Sequence, residues 1–169
     1  YYVLPEEPVA ALVREVTITN RTEKTCRLEV IDGMPAVIPY GVSMGNMKNM
    51  TQTAKAWMQA VTLGEHTELY RVRASMEDSA DVREVPGANF ALAVAEDGKA
   101  FSRIVDPEVI FSYDTSLGNP EGFRRQSLEQ LLTCRQNRTN IVPCAFFAAD
   151  REIGPGENIR LYELYGQTG

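Results

Sequence analysis

Few residues in this sequence have the chemistry of a catalytic group. His66 is the only histidine, so a Ser-His-Asp or Cys-His nucleophile would have to include it. It lies in the polar segment 64–68, GEHTE, which is typical of a solvated turn. Asp106 and Glu108 flank a proline, and a pair of carboxylates is what glycosidases use to cleave glycosidic bonds. In those enzymes, however, the two carboxylates usually lie on separate elements and face each other across the sugar. The Asp-Pro-Glu segment therefore indicates a turn, and we assign no catalytic residue.

The sequence contains no pattern typical of a metal or cofactor site. Cys26, Cys134 and Cys144 have no repeated spacing and form no CxxC pair, which argues against a zinc site and against a disulfide framework. Cys26 and Cys144 stand in apolar runs, where a free thiol acts as a small hydrophobe. No glycine-rich phosphate-binding motif is present. We expect no metal and no cofactor, and a reducing cytoplasmic location.

Two sets of apolar side chains are candidates for binding. The apolar faces of aromatic rings stack on sugars, which makes carbohydrate-binding candidates of Tyr40, Trp57 and Tyr113. Methionines adapt to varied partners, which makes interface candidates of Met47, Met50 and Met58. Packing inside the domain is the favoured interpretation for both sets. Sugar stacking and docking on another domain are the alternatives.

Composition indicates a globular domain and excludes several functions. The chain has 169 residues, 44% hydrophobic and 24% charged, with a net charge of −6. It has no Lys/Arg-rich run of the kind that binds nucleic acid, so we expect no nucleic-acid partner. No apolar stretch approaches the roughly 18 residues that span a bilayer, so we expect no membrane partner. With no linker or repeat, residues 1–169 are predicted to form a single domain.

Hydrophobic periodicity predicts a mainly β fold. Residues 12–20 and 26–30 alternate with period two around a polar turn, which predicts a hairpin. Apolar residues between 44 and 61 have helical spacing and predict an amphipathic helix of about four turns. A second helix is predicted near 121–134, and strands elsewhere include 81–85 and a short one at 109–111. Eight or nine strands with frequent turns indicate an antiparallel β-sandwich with one or two inserted helices.

Three blocks of the sequence resemble the N-terminal sandwich domain of the family 94 glycoside phosphorylases. The first is PEEPVAALVREVTITNRTEKTCRLEVIDGMP, residues 5–35, and the second is TSLGNPEGF, residues 115–123. The third, VPCAFFAADREIGPGENIRLYELYGQ, covers residues 142–167. They occur in the family's order, and IPYGV at 38–42 is similar to the branch that phosphorolyses β-1,2-linked glucose oligosaccharides. The resemblance implies that 111–123 is a structural turn into a helix rather than a ligand-gripping loop.

This resemblance implies a galactose-mutarotase-like super-sandwich that carries no catalytic residue. In that family an aspartate on a separate (α/α)6 barrel protonates the glycosidic oxygen while phosphate attacks, and nothing in this sequence reads as such a barrel. We therefore expect a non-catalytic module, a fragment of a larger enzyme. Its expected partner is the catalytic domain of the parent chain, with a homodimer and an oligosaccharide as further candidates.

Two other functions compete with this interpretation. A free-standing carbohydrate-binding module would use Tyr40, Trp57 and Tyr113 as stacking platforms. An enzyme of the aldose-mutarotase kind would need a histidine and a glutamate that converge in a sheet groove. His66 stands in a polar turn and is the only histidine, so it is a weak candidate for that chemistry.

Overall fold

The computed structural model describes residues 1–4, 6, 9–77 and 79–168, and these form a mainly β structure. Its nine strands lie in two antiparallel sheets, of six and three strands, in a sandwich-like arrangement. The strands are β1 Tyr2–Val3, β2 Ala10–Thr19, β3 Cys26–Met34, β4 Met58–Leu63, β5 Thr67–Val72, β6 Ala88–Val94, β7 Ser102–Ile104, β8 Ala145–Ile153 and β9 Asn158–Thr168. The helices are short: α1 Met44–Asn49, α2 Thr51–Trp57, α3 Pro107–Phe111, α4 Glu121–Arg125 and α5 Leu128–Thr133.

The order of strands is β1-β2-β9-β6-β5-β4 in the large sheet and β3-β8-β7 in the small one. The predicted hairpin of 12–30 is therefore wrong, because β2 and β3 belong to different sheets. The Asn20 side chain builds the turn between them: its amide donates to the carbonyls of Lys24 and Ile153, and its oxygen accepts from Thr22. The turn between β8 and β9 crosses beside it, because the Gly156 amide donates to the Asn20 carbonyl.

The two sheets enclose the main core. Alternate residues of β9 and β6 point between the sheets, among them Leu161 and Ala91, and meet Phe147 and Ala149 of β8. The Tyr70 hydroxyl crosses this layer and donates to the Cys144 carbonyl at 3.1 Å. Inter-sheet packing of alternate residues follows from the period-two pattern of each strand.

Helices cover the side of the small sheet that points away from the large sheet. A second cluster of buried side chains joins Phe146 of β8 to Ile110 and Phe111 of α3, and Leu132 of α5 packs against it. The predicted strand at 109–111 is therefore wrong, since those residues belong to α3. Residues 81–85, also predicted as a strand, form no regular element.

The predicted helix of 44–61 is also corrected. It is divided at Met50, whose φ of −137° and ψ of 39° interrupt the helix, and it ends at Trp57. Met58 has an extended backbone and begins β4, where it pairs with Val72. The predicted helix of 121–134 is divided as well, into α4 and α5. In the described part of the chain, no helix is long and apolar enough to cross a membrane.

Candidate functional site

Glu68 is fully buried between the sheets and is neutralised by two arginines. Arg138 donates to its carboxylate at 2.8 Å, Arg103 of β7 donates to Oε1, and the Thr62 hydroxyl donates to the same oxygen at 2.9 Å. Burial by itself would raise the pKa of Glu68, but the hydrogen bonds from Arg138 and Arg103 outweigh it and hold that pKa below its ordinary value. Glu68 is thus a fixed carboxylate that ties β5 to β7.

Glu163 is the second fully buried glutamate, and its surroundings have the opposite effect. Arg14 lies 2.9 Å from Glu163 and 2.8 Å from Asp32 of β3, and the Tyr165 hydroxyl donates to Glu163 at 2.8 Å. Burial raises the pKa of Glu163, and the charge of Asp32 adds to that rise against the hydrogen bonds from Tyr165 and Arg14. Because Glu163 and Asp32 share a single arginine, the negative charge of Glu163 is only partly compensated.

The acids singled out by the sequence have structural roles. Asp106 caps α3, since its Oδ1 accepts from the Glu108 amide at 3.0 Å and its Oδ2 accepts from the Asn137 amide at 2.8 Å. Asp114 organises the turn that follows, because it accepts from the amides of Ser116, Gly118 and Asn119. Pro107 and Glu108 belong to α3, so the turn predicted at Asp-Pro-Glu is instead the start of a helix that Asp106 caps.

His66 lies in the turn between β4 and β5, with more than half of its side chain exposed. Its Nε2 lies 3.5 Å from the carboxylate of Glu65, a side chain that is itself 89% exposed. Within residues 1–4, 6, 9–77 and 79–168, no group of three His, Cys, Asp or Glu side chains is placed to hold a metal ion. All three cysteines are free; Cys144 is buried, whereas Cys26 is exposed, contrary to its predicted apolar setting.

A cleft of about 560 Å³ lies between the α1–α2 segment, the start of α3 and the loop after it. Its walls combine apolar and polar side chains: Ile38, Met47, Phe111, Leu117 and Val142 on the apolar side, and Gln52, Lys55, Glu108, Tyr113 and Asn140 on the polar side. Its size falls in the range of about 300–1,000 Å³ that is usual for small-molecule sites. The cleft is the described cavity that best combines volume with convergent polar groups.

Three residues that line this cleft have positive φ angles without being glycine. They are Ser112 at 55°, Leu117 at 56° and Asn140 at 62°. Asparagine tolerates this conformation, but serine and leucine adopt it at a cost of roughly 1–3 kcal/mol each. Close packing holds the strained loop, because a Cβ at Gly122 of α4 would lie 2.2 Å from the Val109 carbonyl of α3.

The structure separates the predicted binding residues. Of the aromatic candidates only Tyr113 lines the cleft, where it is 99% exposed. Tyr40 lies against Gly87, at the end of the large sheet, and Trp57 is half-buried at the end of α2. The methionines divide in the same way: Met47 lines the cleft, Met50 is exposed and Met58 is completely buried in the core. Met58 has no surface to offer a partner.

The outward face of the large sheet is a second candidate surface, which the sequence reasoning missed. Directly paired residues share a face, and the pairs Val61–Leu69, Leu69–Phe90, Leu92–Leu164 and Leu164–Val13 all lie opposite the core residues of their strands. We call these six residues the outer face: Val13, Val61, Leu69, Phe90, Leu92 and Leu164. Val13 and Phe90 are buried in the described structure, and the other four are half-buried. The available signal was the segment ANFALAV, which is apolar at successive positions and not only at alternate ones.

No protein-family model matches this chain, and no curated protein matches it.

Proposed function

We propose that this chain is a non-catalytic β-sandwich module of a carbohydrate-active, phosphorylase-like enzyme, and that its outer face docks on the helical catalytic domain. The proposal includes the finer fold assignment, a galactose-mutarotase-like super-sandwich, and a parent enzyme that phosphorolyses β-1,2-linked glucose oligosaccharides. The observation that carries it is the apolar outer face of the large sheet.

An antiparallel sheet that faces water on one side normally shows polar residues there. On this sheet the outward positions of β6 are Ala88, Phe90, Leu92 and Val94, and none of the four is polar. Ala88 and Phe90 are buried, whereas Leu92 and Val94 are half-buried in the described structure. Contiguous apolar surface of this kind is typical of an interaction site.

The two sheets differ in a way that supports a partner on the large one. The small sheet already has its helical layer, in which α5 and the Phe111 ring cover β7 and β8. The five helices are short, and α3 and α5, which pack against the small sheet, lie on the side away from the outer face. A helical domain would give the large sheet the cover that α3–α5 give the small one.

The buried acids support a role without catalysis. Glu68 is paired with two arginines, and both carboxylate oxygens of Asp106 accept from backbone amides, so the fold itself uses both acids. Glu163 has a raised pKa, as many catalytic acids do. It is, however, completely buried between the sheets beside Tyr165 and Arg14, and it does not line the cleft.

The test uses the complete reading frame that encodes this chain. We expect it to encode a long run of helical hairpins as well, and the two parts, expressed as separate polypeptides, to elute as one complex in size-exclusion chromatography. Leu92→Lys with Leu164→Lys should abolish the complex, because two charges would be buried in an apolar interface. Val82→Lys is the matched control, since Val82 is 89% exposed in a loop.

Two results contradict the proposal. One is a reading frame without helical hairpins. The other is a complex that persists when Leu92 and Leu164 are both lysine, provided that circular dichroism shows the variant folded.

A free-standing carbohydrate-binding module is the second candidate function, and the cleft favours it. The three aromatic residues first considered do not lie together, so a common platform of Tyr40, Trp57 and Tyr113 has no support in the lining of the cleft. Tyr113 remains a candidate for stacking on a sugar, and Met47 lines the same cavity.

A further inference from the structure

The cleft beside α1, α2 and α3 contains polar groups that the fold itself does not use. Within the described part of the chain, the side chains of Gln52, Lys55 and Glu108 form no hydrogen bond or salt bridge. The Tyr113 hydroxyl is equally free there, and the ring stands almost fully in solvent. The neighbouring carboxylates differ, since Asp106 and Asp114 are occupied by backbone amides.

We propose that this cleft binds a short neutral oligosaccharide, with Tyr113 stacked on a sugar ring and Gln52, Lys55 and Glu108 bonded to its hydroxyl groups. A pyranose ring has apolar C–H faces and an edge of hydroxyls that both donate and accept. The cleft offers matching surfaces: apolar walls that include Ile38 and Leu117, and a polar set with an amide, an ammonium and a carboxylate.

Other ligand classes fit the same walls less well. A phosphorylated ligand would find a single lysine beside the carboxylates of Glu108 and Asp114, and it would be repelled by both. A purely apolar ligand would desolvate Lys55 and Glu108 without replacing their bonds to water, which is unfavourable. A neutral polyhydroxylated ligand satisfies each group and carries no charge to be repelled.

The strained loop positions Tyr113 for this role. Ser112 ends α3 with a φ of 55° and a ψ of −124°, and the next residue is Tyr113. Backbone strain of this kind is concentrated at ligand-binding sites because a fixed geometry lowers the entropic cost of binding. Asp114, which accepts three backbone amides, fixes the far side of the same loop.

The site gives the second candidate function a location and rests on that function, while it does not depend on the docking of a helical domain. It is tested by isothermal titration calorimetry and saturation-transfer difference NMR of this chain with β-1,2-, β-1,3- and β-1,4-linked glucotrioses, each titrated separately to millimolar concentration. We expect at least one of them to bind, and Tyr113→Ala and Glu108→Gln each to weaken that binding about tenfold.

Matched controls lie elsewhere on the surface. Tyr40→Ala removes an exposed tyrosine outside the cleft, and Lys48→Ala removes an exposed lysine of α1; both should bind like the wild type. Circular dichroism of each variant verifies its fold. The proposal is overturned if none of the three glucotrioses binds, or if Tyr113→Ala and Glu108→Gln bind like the wild type. Neither outcome affects the size-exclusion test of the docking face.

Discussion

Glu68 and Glu163 lie between the same two sheets, and both side chains are inaccessible to solvent. They differ in the number of cations around them. Glu68 receives two arginines and a threonine hydroxyl, whereas Glu163 shares Arg14 with Asp32. Because the pKa of Glu68 is lowered and that of Glu163 is raised, the two residues should give opposite contributions to the pH dependence of stability.

Replacing Glu68 should destabilise the protein. In Glu68→Gln the guanidinium groups of Arg103 and Arg138 lose their counter-charge, and we expect the free energy of unfolding to fall by about 3 kcal/mol at pH 7. The lowered pKa means that this stabilisation is present above the unfolded-state pKa of about 4.3 and is lost as pH falls through the folded-state value. Urea unfolding at several pH values measures it.

Glu65→Gln is the control for this charge change, because Glu65 is 89% exposed a few residues away. It should change the stability by less than about 0.5 kcal/mol. A Glu68→Gln variant as stable as Glu65→Gln at pH 7 would show that the arginine cluster does not hold the sheets together.

Replacing Glu163 should have the opposite effect. A raised folded-state pKa means that the folded protein binds a proton more tightly than the unfolded chain, so stability is lost as pH rises toward and through that pKa. Glu163→Gln removes this loss, and Arg14 keeps Asp32 as its partner at 2.8 Å. We expect the variant to be more stable than wild type at pH 7, by up to about 1 kcal/mol.

Urea unfolding between about pH 5 and pH 8 is the measurement for Glu163→Gln. The gain should shrink as the pH falls, because protonation of the wild-type glutamate removes its uncompensated charge. If the variant is less stable throughout this range, the shared arginine compensates both carboxylates.

At the scale of elements, the two capping boxes offer a matched comparison. Ser43 caps α1 and Ser127 caps α5, each accepting from the amide three residues on. The helix α1 buries no residue, whereas α5 buries Leu128 and Leu131. We expect Ser127→Ala to lower the free energy of unfolding by about 1 kcal/mol, and Ser43→Ala to leave it unchanged.

Ser43→Ala should act locally. Fraying of α1 would speed hydrogen exchange at the Asn46 and Met47 amides, which mass spectrometry of short peptides detects. Equal losses of global stability in the two variants would mean that α1 is coupled to the core as strongly as α5.

Periodicity was informative where one face of an element packs on the core, and it failed where the period changes inside an apolar run. Met47, Met50, Ala54, Trp57 and Met58 have helical spacing, yet Met58 and Ala60 alternate as a strand and pair with Val72 and Tyr70. The β-branched Val61 and Thr62 favour the strand over the last helical turn. The polar turn before Cys26 looks the same in a hairpin and in an arch between sheets, so sequence alone did not distinguish them.

The site was less predictable than the strands. Stacking aromatics could be named from their type, but which of them share a cavity depends on the order of strands and on the strained loop at Ser112. Sequence alone did not predict that Lys55 and Glu108 line a cavity, because they differ from other surface residues only in their surroundings.

At the scale of the molecule, three layers stack on one another, and the outer face of the large sheet is only partly buried. Helices α3–α5 cover the small sheet, the small sheet covers part of the large one, and the outer face has no comparable layer in the described structure. A continuous apolar strand such as β6 is expected where both faces are covered. The sequence of β6 therefore fits a position between two layers.

An outer face whose apolar side chains are in part only half-buried should make the isolated chain associate with itself. In sedimentation velocity, the average mass should rise with protein concentration, because burial of the outer face removes apolar surface from water. Leu164→Lys lies at the centre of this face, between Val13 and Leu92, and should keep the chain monomeric. Val82→Lys adds the same charge in a loop and should associate like the wild type. A wild-type chain that stays monomeric at every concentration would show that the outer face needs no cover, and the docking proposal would lose its physical basis.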